Sequence, residues 1–284
     1  MERKSVWFVI PVLVFSGILM YLIGWNLYYS FTDWSIIHPS WKFVGFETYA
    51  EVIFSTTFKL SFLHSIEISA FMVAAGNLMG LLLAGLLFSI KSNSYRIGLM
   101  SIFVYPLAIS MAANGLIFLW LFNPMIGINP ILGKLHLPQP SWLTQDTLYS
   151  IMLVMLWAYS GLSMLFYLAS FMNIDRSIIE AAYIDGASYF KIFWKILVPN
   201  SMNGFIVSTA LLFLFSFRVF TLPYILTGTP ISYYAETLLT YQYFLFGSSY
   251  FAQSAVVNTI VVIIALAVVV PYAMLGMKRW VYGQ

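Results

Sequence analysis

From Ser5 to Thr32 the chain carries no charged side chain, and apolar runs of similar length recur along it. A helix needs about 20 apolar residues to cross roughly 30 Å of hydrocarbon. A chain made of such runs is therefore expected to fold in lipid. Composition agrees: 8% of the residues are charged and 61% hydrophobic, whereas a soluble domain has about a quarter of its residues charged. The runs are unbroken and do not alternate over ten-residue segments, which argues against a transmembrane barrel. The expected fold is all-α and integral to the membrane. Six transmembrane helices are placed at about Val6–Tyr28, Ile66–Ile90, Ile97–Leu121, Leu148–Met172, Ser201–Leu222 and Ser254–Met277. The first run is too long for a signal-peptide core and lacks a clear small-residue cleavage site, so it reads as a retained span.

Basic residues set the orientation, because Lys and Arg resist translocation. Arg3, Lys4, Lys91, Arg96, Arg176, Lys191, Lys195, Lys278 and Arg279 fall on one side of the six-span scheme. Lys42, Lys59 and Lys134 fall on the other, with Arg218 near the outer end of the fifth span. Both termini are thus expected to be cytoplasmic. Residues 1–60 read as the first span plus an extracytoplasmic segment, and 61–284 as a five-span core. Trp25, Trp120, Trp142 and Tyr224 mark span ends as interfacial aromatics do. The segments 122–146 and 223–253 carry turn signals, among them Asn123-Pro124 and Gly228-Thr229-Pro230.

Little in the sequence suggests chemistry of its own. Cysteine is absent and the three histidines, His38, His64 and His136, are far apart, so no metal site is expected. Gly127 to Gly133-Lys134 is one residue too long for a phosphate-binding loop, and Leu135 stands where Ser or Thr is required. Basic residues are scattered, so nucleic acid is not an expected partner. No internal repeat is visible, which removes the usual signature of a secondary transporter.

Between the fourth and fifth spans lies an island of charge, about 175–200. Asp175, Arg176, Glu180, Asp185, Lys191 and Lys195 crowd together there. Ser177 and Glu180 are spaced as a capping box, and Gly186 suits the left-handed residue that ends a helix. A second helix is expected from Ser188, with Pro199 opening the fifth span. An amphipathic helix lying on headgroups is one reading. Its acidic residues disfavour anionic lipid, and the small Ala181, Ala182 and Gly186 allow close approach by another protein.

Glu180-Ala181-Ala182, three residues, Gly186, nine residues and Ile196-Leu197-Val198-Pro199 resembles the EAA loop of binding-protein-dependent ABC importer permeases. Val198 replaces the Leu that the family prefers. Tyr105-Pro106, Trp120-Leu121-Phe122-Asn123-Pro124 and Ser216-Phe217-Arg218-Val219-Phe220 with Tyr224-Ile225-Leu226-Thr227-Gly228 are similar to the sugar subgroup related to the maltose and glycerol-phosphate permeases. The resemblance implies a type I permease fold with a cytoplasmic coupling helix, importing a mono- or oligosaccharide and holding no catalytic residue. Glu180, Ala181, Ala182, Asp185 and Gly186 would dock on an ATPase. The implied partners are a second permease, two ATP-binding subunits holding the ATP and Mg, and an extracytoplasmic solute-binding protein. This chain would bind no cofactor itself. The same architecture carrying glycerol phosphate, amino acids or polyamines is the alternative, followed by an ATPase-independent carrier or channel.

Polar residues inside spans are costly unless partnered. Asn77 and Asn114 read first as helix-to-helix hydrogen-bonding groups and second as solute contacts. Trp157 and Tyr159 are aromatic platforms for a sugar in that second reading.

Overall fold

The computed structural model describes residues 6–228 and 233–282. Arg3 and Lys4, used above for orientation, and Thr229-Pro230, used as a turn signal, lie outside the described residues. Fourteen α-helices follow one another among them: α1 (Val6–Tyr29), α2 (Glu47–Phe54), α3 (Thr56–Phe71), α4 (Asn77–Ser89), α5 (Asn93–Ala108), α6 (Met111–Leu121), α7 (Asn129–Lys134), α8 (Thr147–Met172), α9 (Arg176–Ile184), α10 (Tyr189–Ile192), α11 (Met202–Phe217), α12 (Thr221–Thr227), α13 (Leu238–Gly247) and α14 (Phe251–Tyr282). A single β-bridge, Thr32 to Phe43, is the one trace of extended pairing among the described residues. Five helical stretches are long and apolar enough to cross a membrane: Val9–Tyr29, Thr56–Ser89, Thr147–Met172, Pro199–Phe217 and Phe251–Tyr272. The pair α5 and α6, bent by 94°, makes a sixth if counted as one span.

Three spans depart from the sequence expectation. The third span is not one helix with a kink at Pro106. Pro106 lacks the N–H that would extend the ladder, yet α5 continues to Ala108 before Ile109 turns extended. Ser110 then starts α6 as a fresh N-cap, its hydroxyl accepting from the Ala113 N–H at 3.2 Å. The fifth span ends at Phe217 rather than Leu222, because the chain leaves helical geometry at Arg218 and resumes at Thr221. The second span begins ten residues earlier than expected, at Thr56, and runs through one π turn at Met72–Gly76.

The described chain divides into two units. One contains the residues up to Ser61 together with Leu238–Ile264. Here α1 is exposed from Val9 to Trp25, as an apolar helix in lipid can be. Its end is fixed by Asn26, whose Nδ2 donates to the Ala255 carbonyl at 3.2 Å and the Thr259 hydroxyl at 2.9 Å on α14. Tyr29, Trp34 and Trp41 then cluster with ring separations of 4.7 and 5.4 Å from Tyr29, and Trp34 meets Phe251 at 4.8 Å.

The other unit, Phe62–Thr237 with the chain from Ala265, is built around α8. Helices α4, α5 and α11 press on it where small residues let backbones meet, the arrangement membrane helices favour because lipid supplies no hydrophobic drive between them. A Cβ on Gly80 of α4 would collide with Ser163 and meet the Met164 nitrogen at 2.8 Å. On Gly161 of α8 it would strike the Phe103 carbonyl and meet Val104 Cα at 3.0 Å. On Gly204 of α11 it would meet the Phe166 carbonyl oxygen at 2.7 Å. Gly76, Gly80 and Ala84 thus form a packing stripe.

These contacts predict that Gly161→Val lowers the thermal midpoint of detergent-solubilised protein, with an overpacking cost of about 1–3 kcal/mol. Gly98, in α5 with nothing within 4 Å of its Cβ position, is the control. Gly98→Ala should leave the midpoint equal or slightly higher, since Ala is the better helix former by roughly 1 kcal/mol. Equal midpoints for Gly161→Val and wild type would mean that the α5–α8 approach is not close.

Candidate functional site

The charged island folds as two short helices joined by a tight corner. Asp175, not Ser177, is the N-cap of α9: its Oδ1 accepts from the Ser177 N–H at 2.9 Å. The expected capping box is therefore shifted, with Ser177 inside the first turn. Hydrogen bonds from the backbone and side chain of Ser177 hold the Asp175 carboxyl below its usual range. The far end closes as a Schellman motif. The Ala187 N–H donates to the Ala182 carbonyl at 2.9 Å and the Gly186 N–H to the Tyr183 carbonyl at 3.0 Å. Gly186 takes φ +75°, the left-handed conformation for which glycine lacks the Cβ penalty. Ser188 caps α10 by accepting from the Lys191 N–H at 3.4 Å.

Behind this corner the chain is bolted to the membrane helices. The Tyr189 hydroxyl donates to the Gly85 carbonyl of α4, and burial pushes that phenol up to about 12. Phe193, in a π turn over Phe193–Leu197, meets Phe171 of α8 edge-on at 6.2 Å. Ile192, Phe193 and Leu197 are buried with Ala84, Leu87, Met164 and Phe171.

The faces of α9 separate by their periodicity. Ile179 and Ala182 are partly buried against that cluster. Ser177, Ala181, Ile184 and Asp185 are exposed along the opposite face. Of the residues selected from sequence, Ala181, Asp185, Glu180 and Gly186 are exposed, whereas Ala182 packs inward. Ile184 was not selected, yet it is 86% exposed at the last helical position. An apolar residue four after Glu180 in a charged loop was the available signal.

The residues proposed for the solute path are not gathered in one place. Asn77 is closed into the helix bundle. Its Nδ2 donates to the Val73 carbonyl at 2.7 Å and the Thr209 hydroxyl at 3.0 Å, and its Oδ1 accepts from the Tyr167 hydroxyl at 3.0 Å. Asn114 is fully buried beside the break between α5 and α6, donating to the Pro106 carbonyl at 3.3 Å. Its Oδ1 has no hydrogen-bond partner among the described residues. Trp157 stands 5.2 Å from Phe118, edge to face.

Tyr159 lines a cavity of about 270 Å³. Its ring stacks on Phe215 at 5.0 Å with 9° between the planes. Met111, Met155, Arg218 and Thr221 share the wall. The cavity sits where two helical paths are interrupted, at the first residue of α6 and between α11 and α12. Such interruptions free backbone polar groups, which a membrane protein tolerates where they border a cavity. Arg218, exposed at the end of α11, lines this cavity together with the Tyr159–Phe215 pair and Thr221.

The Asn77 bonds generate a double-mutant cycle. Asn77→Leu and Thr209→Val should each lower stability, and the pair should couple by about 0.6 kcal/mol, the average for such bonds in bilayers. Additive losses in denaturation would remove that bond.

Comparison with known proteins adds the relatives of this geometry. The family model described as "Binding-protein-dependent transport system inner membrane component" matches residues 76–277. The glucose import system permease protein GlcT of Saccharolobus solfataricus is 48% identical over 99% of both chains. The xylose/arabinose import permease protein XacH of Haloferax volcanii is 28% identical over 95% of this chain and 86% of its own. A chain of a bacterial ABC transporter involved in import of the acidic polysaccharide alginate superposes with a TM-score of 0.81. It covers 97% of this chain and 96% of that one at 21% identity, a likeness of fold.

Proposed function

This chain belongs to the binding-protein-dependent transport system inner membrane components, and from that premise we propose how it works in sugar import. It is a permease subunit of an ABC importer, carrying a sugar across the membrane. The near-full-length likeness to a glucose import permease supports a sugar of that class. The observation that carries the working mechanism is α9: fixed from behind by Tyr189 and Phe193, and uncovered along Ser177, Ala181 and Ile184.

In this proposal the uncovered face enters a groove on a cytoplasmic ATPase subunit. Ala181 permits close approach, Ile184 supplies apolar contact, and Glu180 and Asp185 flank it with charge. Two such ATPase subunits, one under this chain and one under a second permease, hold ATP and Mg²⁺. ATP does work only because it favours one arrangement of the complex over another. Closure of the ATPase pair moves α9, and the bundle changes the side to which its path opens. A solute-binding protein delivers sugar outside. A bacterial alginate ABC transporter has been solved in complex with a pentasaccharide-bound periplasmic protein, which supports such a partner. Hydrolysis belongs to the ATPase, and this chain contributes docking and passage. Both termini and α9 face the cytoplasm in this arrangement.

The cavity at Tyr159 serves the solute. A sugar presents C–H faces to an aromatic plane and hydroxyls to donors and acceptors, and the Tyr159–Phe215 pair, Arg218 and Thr221 offer both kinds of contact. Asn77 belongs to the scaffold in this reading. Asn114, with its free acceptor at the α5–α6 break, stands nearer to the moving parts.

Two variants separate docking from passage. Ala181→Trp should reduce co-purification of the ATPase about tenfold or more, equivalent to 1.4 kcal/mol of lost contact, with glucose uptake falling in step. Tyr159→Ala should leave co-purification intact and lower uptake. The natural absence of cysteine lets Ala181→Cys be cross-linked cleanly. A cysteine there that labels only from outside the cell, or never joins an ATPase, would overturn the docking assignment.

A further inference from the structure

A second cavity, of about 370 Å³, lies between the end of α4 and α9. Its wall changes character along its length. Phe88, Ile90 and Ile179 form an apolar strip, and Lys91 and Arg176 stand at the same space. Both cations are exposed, and no hydrogen bond or ion pair engages either among the described residues. Their depth is set by the helix they adjoin. Ser89 is the last residue of the apolar stretch Thr56–Ser89, so the cavity opens where hydrocarbon gives way to headgroups.

We infer that this cavity binds the headgroup of an anionic phospholipid, its phosphate between Lys91 and Arg176 and its acyl chain along Phe88 and Ile90. Charge complementarity supplies the first half of the argument. Basic groups at the end of a spanning helix attract anionic headgroups at short range, and these two have no competing partner. The apolar strip supplies the second half, because a free phosphate ion has no use for it and a lipid does. Glu180 also reaches this cavity. Its carboxylate opposes an anionic headgroup, and Lys91 and Arg176 outnumber it two to one at the cavity.

Apart from Glu180, which lies at the edge of both, geometry separates this site from the proposed ATPase contact. Arg176, Ile179, Glu180 and Tyr183 line the cavity and form one side of α9 by their spacing. Ser177, Ala181 and Ile184 lie on a different side. The inference needs the chain to span a bilayer and does not rest on ATPase docking.

The test uses the full chain in detergent micelles, titrated with phosphatidylglycerol, phosphatidylcholine and inorganic phosphate, with bound lipid read by native mass spectrometry. Wild type should retain phosphatidylglycerol over phosphatidylcholine by on the order of tenfold, the preference that two basic groups near an anionic headgroup supply. Lys91→Gln with Arg176→Gln should abolish the preference, and Lys91→Arg with Arg176→Lys should restore it. Equal retention of the two lipids by wild type would sink the proposal, as would an undiminished preference in the neutral variant. Loss of the preference in the charge-keeping variant overturns it too, because the residues would then act through shape alone. Displacement of the lipid by inorganic phosphate at equal concentration would reassign the site to a free anion. If the neutral variant kept its lipid but lost the ATPase, the cavity would be part of a protein interface instead.

Discussion

Everything in the helical core depends on polar groups that hydrocarbon cannot solvate finding partners on neighbouring helices. Asn77, Thr209 and Tyr167 tie α4, α11 and α8 together, and the Ser208 hydroxyl donates to Ser163 at 2.7 Å across α11 and α8. Such bonds form only if the helix axes come close, and the glycines at 80, 161 and 204 permit it. The small residues and the polar ones are therefore one device: the first bring backbones together, the second fix register. Without the amides and hydroxyls the same apolar surfaces would be as content against lipid as against one another.

The helix breaks follow the same rule in reverse. Ending α5 at Ala108 and α11 at Phe217 exposes carbonyls and N–H groups that must be met by something other than lipid. Ser110 answers part of this by capping α6, and Asn114 answers the Pro106 carbonyl. The cavity of Tyr159, Phe215 and Arg218 lies where both breaks fall.

Much of this was legible in the residues, and the losses have identifiable causes. The apolar runs located the five candidate spans among the described residues, though not all their ends, because length and hydropathy are local properties. Gly186 and Ser188 announced the corner and the second cap, since both act through their own backbone neighbours. The first cap was misplaced because Asp175 and Ser177 are both good caps, and only backbone geometry at Asp175 decides between them. Pro106 signalled a break but not its position, which Ser110 sets four residues later. Ala182 was given an outward role on motif grounds, although the face it shares with Ile179 is the inward one. Asn77 and Asn114 were indistinguishable as sequence, yet one has its hydrogen bonds filled and the other keeps a free acceptor.

In the proposed mechanism, a route between α9 and the Tyr159 cavity would run along α8. Phe171, near its end, is the buried surface against which Phe193 anchors the coupling corner, and Tyr159 lies twelve residues earlier on the same helix. At 1.5 Å per residue these positions are about 18 Å apart. No proline interrupts α8, so displacement at Phe171 is carried to Tyr159 with little loss to bending. The opposite wall of the cavity is different, because α11 stops at Phe217 and the chain turns at Arg218 before α12. A push delivered at α9 would therefore move one wall as part of a continuous helix and reach the other only through a joint. In that mechanism, unequal stiffness of the two walls would turn a rigid-body push into a change of cavity shape, and it would follow from where this sequence breaks its helices.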